Sequence, residues 1–161
     1  MPTLRRYRPS DWESFLALDL ETGLLDLTRA SAAEREAFET RWPELLKSRS
    51  DWSDTGPTMN KSVLYVLEEE PDYAGHIWLA EQADFFTGTK SLFVTTVAIA
   101  AKFRGRGWGR LLMEHAVEEA RRRGLRSIGL GVAADNVRAR ELYEKLGFTT
   151  RRLSMAKELP A

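Results

Sequence analysis

The chain has 161 residues, with 24 Lys and Arg against 24 Asp and Glu, so its formal net charge at pH 7 is zero. Hydrophobic residues make up 43% and charged residues 30%, the balance of a soluble globular chain long enough for a single domain over 1–161 with a good core. Zero net charge gives no global pull toward nucleic acid or an anionic membrane, and the absence of cysteine excludes disulfides, thiolate metal sites and a cysteine nucleophile.

The opening residues, MPTLRRYRPSDW, lack the apolar core of a signal peptide, and no apolar stretch approaches the ~20 residues of a membrane span. A reducing cytoplasm is the expected compartment. Thr3–Arg8 alternates and predicts an edge strand, ended by Pro9. Ser10-x-x-Glu13 has the form of a capping box and opens a helix to about Leu20, with Trp12, Phe15 and Leu16 facing inward. Glu21–Arg29 reads as an irregular link. Ser31-x-x-Glu34 is a second capping box; the helix behind it carries Phe38, Trp42, Leu45 and Leu46, and Pro43 is expected to kink or restart it. Lys47–Asn60, with Gly56-Pro57, reads as a long loop whose Trp52 could line a pocket. Lys61–Leu67 and Tyr73–Ala80 predict two antiparallel strands, joined by the charged turn Glu68–Asp72.

Gln82–Lys90 turns into the stretch that dominates the chain, Leu92–Arg123. Leu92–Ile99 is an apolar, β-branched run suited to a strand covered on both faces. A basic, glycine-rich loop follows at Lys102–Gly109, then an amphipathic helix with Trp108, Leu111, Leu112 and Ala116 on one face. Glu118→Arg122 and Glu119→Arg123 are expected ion pairs on the other face, and Gly124 is the expected stop. Leu125–Val132 predicts a fifth strand, parallel to Leu92–Ile99 through the helical crossover. Asp135 or Asn136 caps the next helix, on which Ala139, Leu142, Tyr143 and Leu146 form a stripe and Glu141→Lys145 an exposed pair; Gly147 ends it. Thr149–Leu159 reads as a last strand or pair of strands.

Strand, glycine loop and helix N-terminus together suit an anion. Glycines let backbone N–H groups turn toward it, the helix start adds unpaired donors, and Arg104, Arg106 and Arg110 add charge. The loop is not a P-loop, because Gly109-Arg110-Leu111 lacks the Lys-Ser/Thr pair. Nor is it a dinucleotide fingerprint, because Gly105, Gly107 and Gly109 are spaced by two.

Arg104-Gly105-Arg106-Gly107-Trp108-Gly109 resembles the R/Q-x-x-G-x-G/A loop of the GNAT superfamily of N-acetyltransferases. Asn136 to Phe148 resembles that family's N-x-x-A-x-x-L-Y-x-x-x-G-F segment. The resemblance runs from about Thr3 to Leu159 and implies an α/β (α+β) fold. The implied core is a mixed central sheet of six to seven strands with about four helices, the fourth and fifth strands parallel and splayed. It also implies acetyl-CoA as donor, its diphosphate on Arg104, Gly105, Arg106, Gly107, Trp108, Gly109 and Arg110, and its pantetheine arm along Val97, Ala98 and Ile99, within reach of Asn136. Tyr143 would protonate the departing thiolate. By spacing alone Tyr143 is a core residue and Asn136 an ordinary cap.

The implied activity is transfer of an acetyl group to a primary amine of a small molecule or peptide by direct attack. The alternative is a non-catalytic CoA-binding or partner-binding domain on the same fold. No metal, nucleic acid or membrane partner is implied, and the chain is expected as monomer or homodimer. Relatives carry an acidic base at positions occupied here by Thr95, Thr96 and Gly131, so no base is assigned and an acceptor of the ribosomal-protein type loses support. Glu81 and Asp84 lie near the start of the central strand, with their carboxylates unplaced. His76 and His115 have no triad-like neighbours and read as structural, as does the solvated run Glu68–Glu70.

Overall fold

The computed structural model describes residues 1–48, 62–84 and 86–159; Trp52 and the Gly56-Pro57 turn lie outside them. One mixed sheet runs in the order β1 (Thr3–Arg6), β2 (Ser62–Glu69), β3 (Asp72–Ala83), β4 (Lys90–Ile99), β5 (Ile128–Leu130). The first four strands pair antiparallel, and β4 pairs with β5 in parallel. The helices are α1 (Trp12–Asp26), α2 (Ala32–Ser48), α3 (Trp108–Arg122) and α4 (Val137–Lys145).

The sheet alternates its side chains between two apolar layers. Val63, Tyr65 and Leu67 of β2, with Ile77 and Leu79 of β3, meet Leu112, Met113 and Ala116 of α3. Leu64 of β2 and Trp78 of β3 face the other way, onto Phe15 of α1 and Leu46 of α2. The middle strands are therefore covered on both sides, which explains their nearly unbroken apolar sequence. On α3 the inward stripe contains Met113 rather than Leu111, which is 37% exposed.

Several expectations are corrected. Among the described residues the sheet has five strands, not six or seven. Thr149–Leu159 forms no regular structure, and its alternating Leu153, Met155 and Leu159 are 82%, 92% and 79% exposed. Alternation makes a strand only where a sheet face receives it, and these side chains meet none. Helix α1 runs through the expected link as far as Asp26. Gly23 is tolerated mid-helix because a Cβ there would lie 2.4 Å from the Phe38 ring, so the glycine lets α2 approach. The chain enters α1 through a 3-10 turn, Pro9–Asp11, where the Asp11 carboxylate accepts the Arg8 N–H at 2.6 Å in place of a Ser10–Glu13 box. The Ser31–Glu34 box forms as expected, with Glu34 Oε2 accepting the Ser31 N–H at 2.7 Å. Pro43 lies inside one continuous α2. On α3, Arg122 and Arg123 both turn to Glu119, and Glu118 takes Arg121. On α4, the charged pair is Arg140–Glu144 at 3.8 Å.

Gly124 and Gly147 end their helices with left-handed φ of 68° and 88°. At Gly147, the Phe148 N–H reaches the Tyr143 carbonyl at 2.9 Å, which anchors the backbone at Tyr143. Gly75 is fixed by contact: a Cβ there would lie 2.4 Å from the Ala98 carbonyl oxygen, inside the β3–β4 pairing. Gly75→Ala must push β4 away from β3 and is expected to cost about 1–3 kcal/mol. Chemical denaturation of the variant beside wild type checks this, and unchanged stability would refute it.

Candidate active site

The sheet opens between β4 and β5. The two strands pair only at Leu92↔Ile128, Phe93↔Gly129 and Val94↔Leu130. At that point β4 carries one residue too many for β3: Trp78 pairs with Thr96 and Leu79 with Val94, leaving Thr95 without a partner. A bulge of this kind bends a strand and ends its pairing. Beyond it, Val97, Ala98 and Ile99 remain paired with β3 on one side and have no ladder partner on the β5 side.

A cavity of about 190 Å³ lies at the opening, lined by Val94 to Val97 of β4, Leu130 and Gly131, Tyr143 of α4, and the α1–α2 side chains Asp19, Asp26, Phe38 and Trp42. Tyr143 is half-buried and packs edge-on against Phe148 at 5.9 Å. Burial, then the Asp26 charge, pushes its phenol above the ordinary value, so it is protonated at neutral pH. Asn136 caps α4 by accepting the Ala139 N–H at 3.2 Å and donates to Asp26 Oδ1 at 2.9 Å. Arg29 and Thr28 also grip Asp135, so the end of α1 is tied to the start of α4.

Two carboxylates in this cavity, Asp19 and Asp26, were missed by sequence reasoning, and Asp19 is the buried one. Asp19 is 3% exposed and accepts from Thr96 Oγ1 at 2.7 Å, Trp42 Nε1 at 2.6 Å and His76 Nε2 at 3.1 Å. Burial pushes its pKa up, but these donors outweigh burial and hold it below the ordinary value. His76, read as structural, is fully buried, and its other nitrogen meets the Tyr73 hydroxyl at 3.0 Å. A sequence signal for Asp19 existed: it lies four residues after Phe15, on the inward stripe of α1, where an acid needs partners.

The glycine loop reaches α3 beside this opening. Gly105 and Gly107 have φ of 83° and 80°, and a Cβ on either would meet no atom within 4 Å. The loop is thus open above its backbone, and the first-turn amides of α3 have no intrahelical acceptor. Arg104 pairs with Glu21 at 2.8 Å, Arg106 with Glu69 at 3.0 Å and Arg110 with Glu114 at 2.7 Å. Such exposed pairs are worth about 0–1 kcal/mol each, so a more highly charged anion can replace them. These residues could therefore hold a diphosphate. The Trp108 side chain stacks on Phe103 at 5.1 Å in the core, which leaves only its backbone for a ligand. Gly109 packs against Leu142 of α4 at 3.6 Å, measured from where its Cβ would be.

Glu81 and Asp84 lie elsewhere: Glu81 pairs with Arg123, and Asp84 accepts from the turn amides of Phe86 and Thr87. His115 packs edge-on against Tyr65 at 4.3 Å. Glu68 and Glu69 are engaged by Arg5 and Arg106, so the acidic run is more than a solvated turn. Among the described residues, no group of three or more His, Asp or Glu is placed to hold a metal, and no helix is long and apolar enough to cross a membrane.

A sequence profile of the acetyltransferase (GNAT) family matches residues 27–148. The chain belongs to this family. The GNAT chain is 26% identical to the uncharacterized N-acetyltransferase YdgE of Bacillus subtilis over 98% of both chains. It is 38% identical to the mycothiol acetyltransferase of Beutenbergia cavernae over 55% of this chain and 29% of that one. A solved structure from Pyrococcus furiosus matches with a TM-score of 0.79 at 26% identity, covering 99% of this chain and 100% of that one.

The buried charge gives this GNAT protein a defined acid response. Asp19 and Asp11 both have folded-state pKa values below their unfolded ones. Their contribution to stability is therefore present above the unfolded carboxylate value of about 3.9 and lost as pH falls through the lower folded values. The melting temperature is expected to hold between pH 7 and 5 and to fall steeply below about pH 4. Asp19→Asn should flatten that fall. Scanning calorimetry across the range is the check, and a variant with the wild-type slope would contradict it.

Proposed function

We propose that this GNAT chain is an acetyl-CoA-dependent N-acyltransferase, moving an acetyl group to a primary amine of a small molecule or peptide by direct attack. The observation that carries this reading is the opening past Val94 and Leu130, with Tyr143 in the cavity it creates. The kinship with an N-acetyltransferase of Bacillus subtilis and a mycothiol acetyltransferase supports acetyl as the transferred group.

The thioester of acetyl-CoA supplies the electrophilic carbon. The edge of β4 at Val97, Ala98 and Ile99 offers backbone groups to an extended amide-bearing arm, as a sheet edge does to an added strand. Asn136 reaches the same arm by giving up its bond to Asp26. Loop residues Arg104, Gly105, Arg106, Gly107 and Arg110 hold the diphosphate, with Trp108 and Gly109 contributing backbone donors. Tyr143 donates its proton to the leaving sulfur. Phe38 and Trp42 stack at 5.6 Å and wall the acceptor side. A cavity of about 190 Å³ is small beside the ~300–1,000 Å³ of drug-sized sites, which favours a compact amine or the tip of a peptide.

Gly107→Asp adds a side chain at a left-handed position together with a like charge, and is expected to abolish acetyl-CoA binding. Calorimetry showing undiminished binding by the folded variant would defeat the diphosphate assignment. Tyr143→Phe keeps the ring and removes the donor. It should lower kcat roughly 10²–10⁴-fold, with little change in acetyl-CoA affinity or melting temperature. Thiol release over a panel of amines reads kcat. An unchanged kcat would return Tyr143 to a packing role, and binding without any thiol release would leave the non-catalytic reading standing.

A further inference from the structure

Resting on the acyltransfer reading above, we propose that Thr96 takes the acceptor amine's proton while passing its own hydroxyl proton to the buried carboxylate of Asp19. Both residues line the cavity that holds Tyr143. The Asp19 side chain is only 2% exposed, and its oxygens are already engaged by three donors. Thr96 is half-buried, lines the same cavity and places its Oγ1 2.7 Å from Asp19 Oδ1. An ionised carboxylate only accepts hydrogen bonds. The Thr96 proton is therefore committed to Asp19, and the oxygen's remaining lone pairs are available to a donor from the cavity.

The other groups around Asp19 are oriented to keep this arrangement. The Tyr73 hydroxyl meets His76 Nδ1 at 3.0 Å. With Asp19 ionised, His76 Nε2–H donates to its Oδ1 at 3.1 Å. Trp42 Nε1 donates to Oδ2 from α2. So β3 presents His76 and Tyr73, β4 presents Thr96, and α2 presents Trp42; Asp26 and Tyr143 share the cavity. Of the three donors on Asp19, Thr96 alone has an oxygen that can accept in turn.

The step balances. The lone pair of a neutral amine attacks the thioester carbon, the N–C bond forms, and the C–S pair leaves on sulfur. The nitrogen's proton goes to Thr96 Oγ1, the Thr96 proton goes to Asp19 Oδ1, and sulfur takes the Tyr143 proton. After product leaves, the proton on Asp19 returns through Thr96 to water in the emptied cavity, and water there restores the one on Tyr143. The transfer accompanies N–C bond formation, because nitrogen becomes acidic only as it gains positive charge. A carboxylate held below its ordinary pKa does not strip a free ammonium.

The test uses the full chain with acetyl-CoA and an amine that wild type acetylates. Thr96→Val and Asp19→Asn should each lower kcat roughly 10²–10⁴-fold. Acetyl-CoA affinity by calorimetry should be unchanged, Thr96→Ser should recover most of the rate, and the double variant should be no slower than the slower single one. Wild type should give a curved dependence of kcat on deuterium content, reporting two protons in flight, and Thr96→Val a linear one. A purely structural Thr96 would change melting temperature without changing that curvature. If Asp19→Asn does not fold, the Thr96→Val and Thr96→Ser pair decides. Wild-type kcat in Thr96→Val overturns the relay alone; a wild type that releases no thiol with any amine overturns the acyltransfer reading and the relay with it.

Discussion

The site depends on one surplus residue. β4 enters the sheet paired on both sides, and after Thr95 it is paired only with β3. Had the register continued, the parallel ladder with β5 would have run on past Leu130 and occupied the space the cavity now fills. The bulge instead leaves backbone groups of the Val97–Ile99 stretch without ladder partners on one side, where Arg104 Nε donates to the Ile99 carbonyl at 2.9 Å. Unpaired backbone groups are costly when sealed from water. They are tolerated here because an open cavity lies beside them, the same condition on which the proposed docking of an amide-bearing arm in place of a strand rests.

The walls of the opening are set by a buried charge. Asp19 ties α1 to β3 through His76, to β4 through Thr96 and to α2 through Trp42. Removing one partner from a buried charged group costs about 3–5 kcal/mol, against about 0–1 kcal/mol for an exposed ion pair. The α1–α2 layer is thus held in register with the sheet chiefly by this network and the Phe15, Leu46, Leu64 and Trp78 packing around it. A helix layer held by apolar packing alone could slide by a fraction of a turn. One carboxylate with directional donors from three elements cannot follow such a slide without losing bonds.

What the sequence made legible was local. The ends of α3 and α4 were readable because a left-handed glycine and the residue after it complete the cap within one turn, as Leu125 to Ala120 and Phe148 to Tyr143 do. The basic loop and the Asn136-to-Phe148 segment were readable because each job in them belongs to residues a few positions apart. The Asp19 network was not, because Asp19 and His76 are 57 residues apart and meet only through the sheet. Gly23 hid the length of α1, since a glycine that admits the Phe38 ring looks in sequence like a glycine that ends a helix. The last segment failed the other way: Leu153, Met155 and Leu159 have a strand's period but no surface to cover.

The loop raises a different question, which is why a chain of zero net charge places so many cations around one turn. Lys102 pairs with Asp72, Arg104 with Glu21, Arg106 with Glu69 and Arg110 with Glu114. Each carboxylate comes from outside the loop or from the far side of its helix turn. Without them, clustered like charges would repel and spread the loop. With them, the cations are held near the helix start at little energetic cost, because exposed pairs are weak and screened by salt. A diphosphate offers each cation more charge than a carboxylate and adds the helix amides that no carboxylate here reaches. On the acyltransferase reading proposed above, Glu21 and Glu69 hold the cations in place until a diphosphate displaces them, so that a neutral protein keeps a locally basic turn.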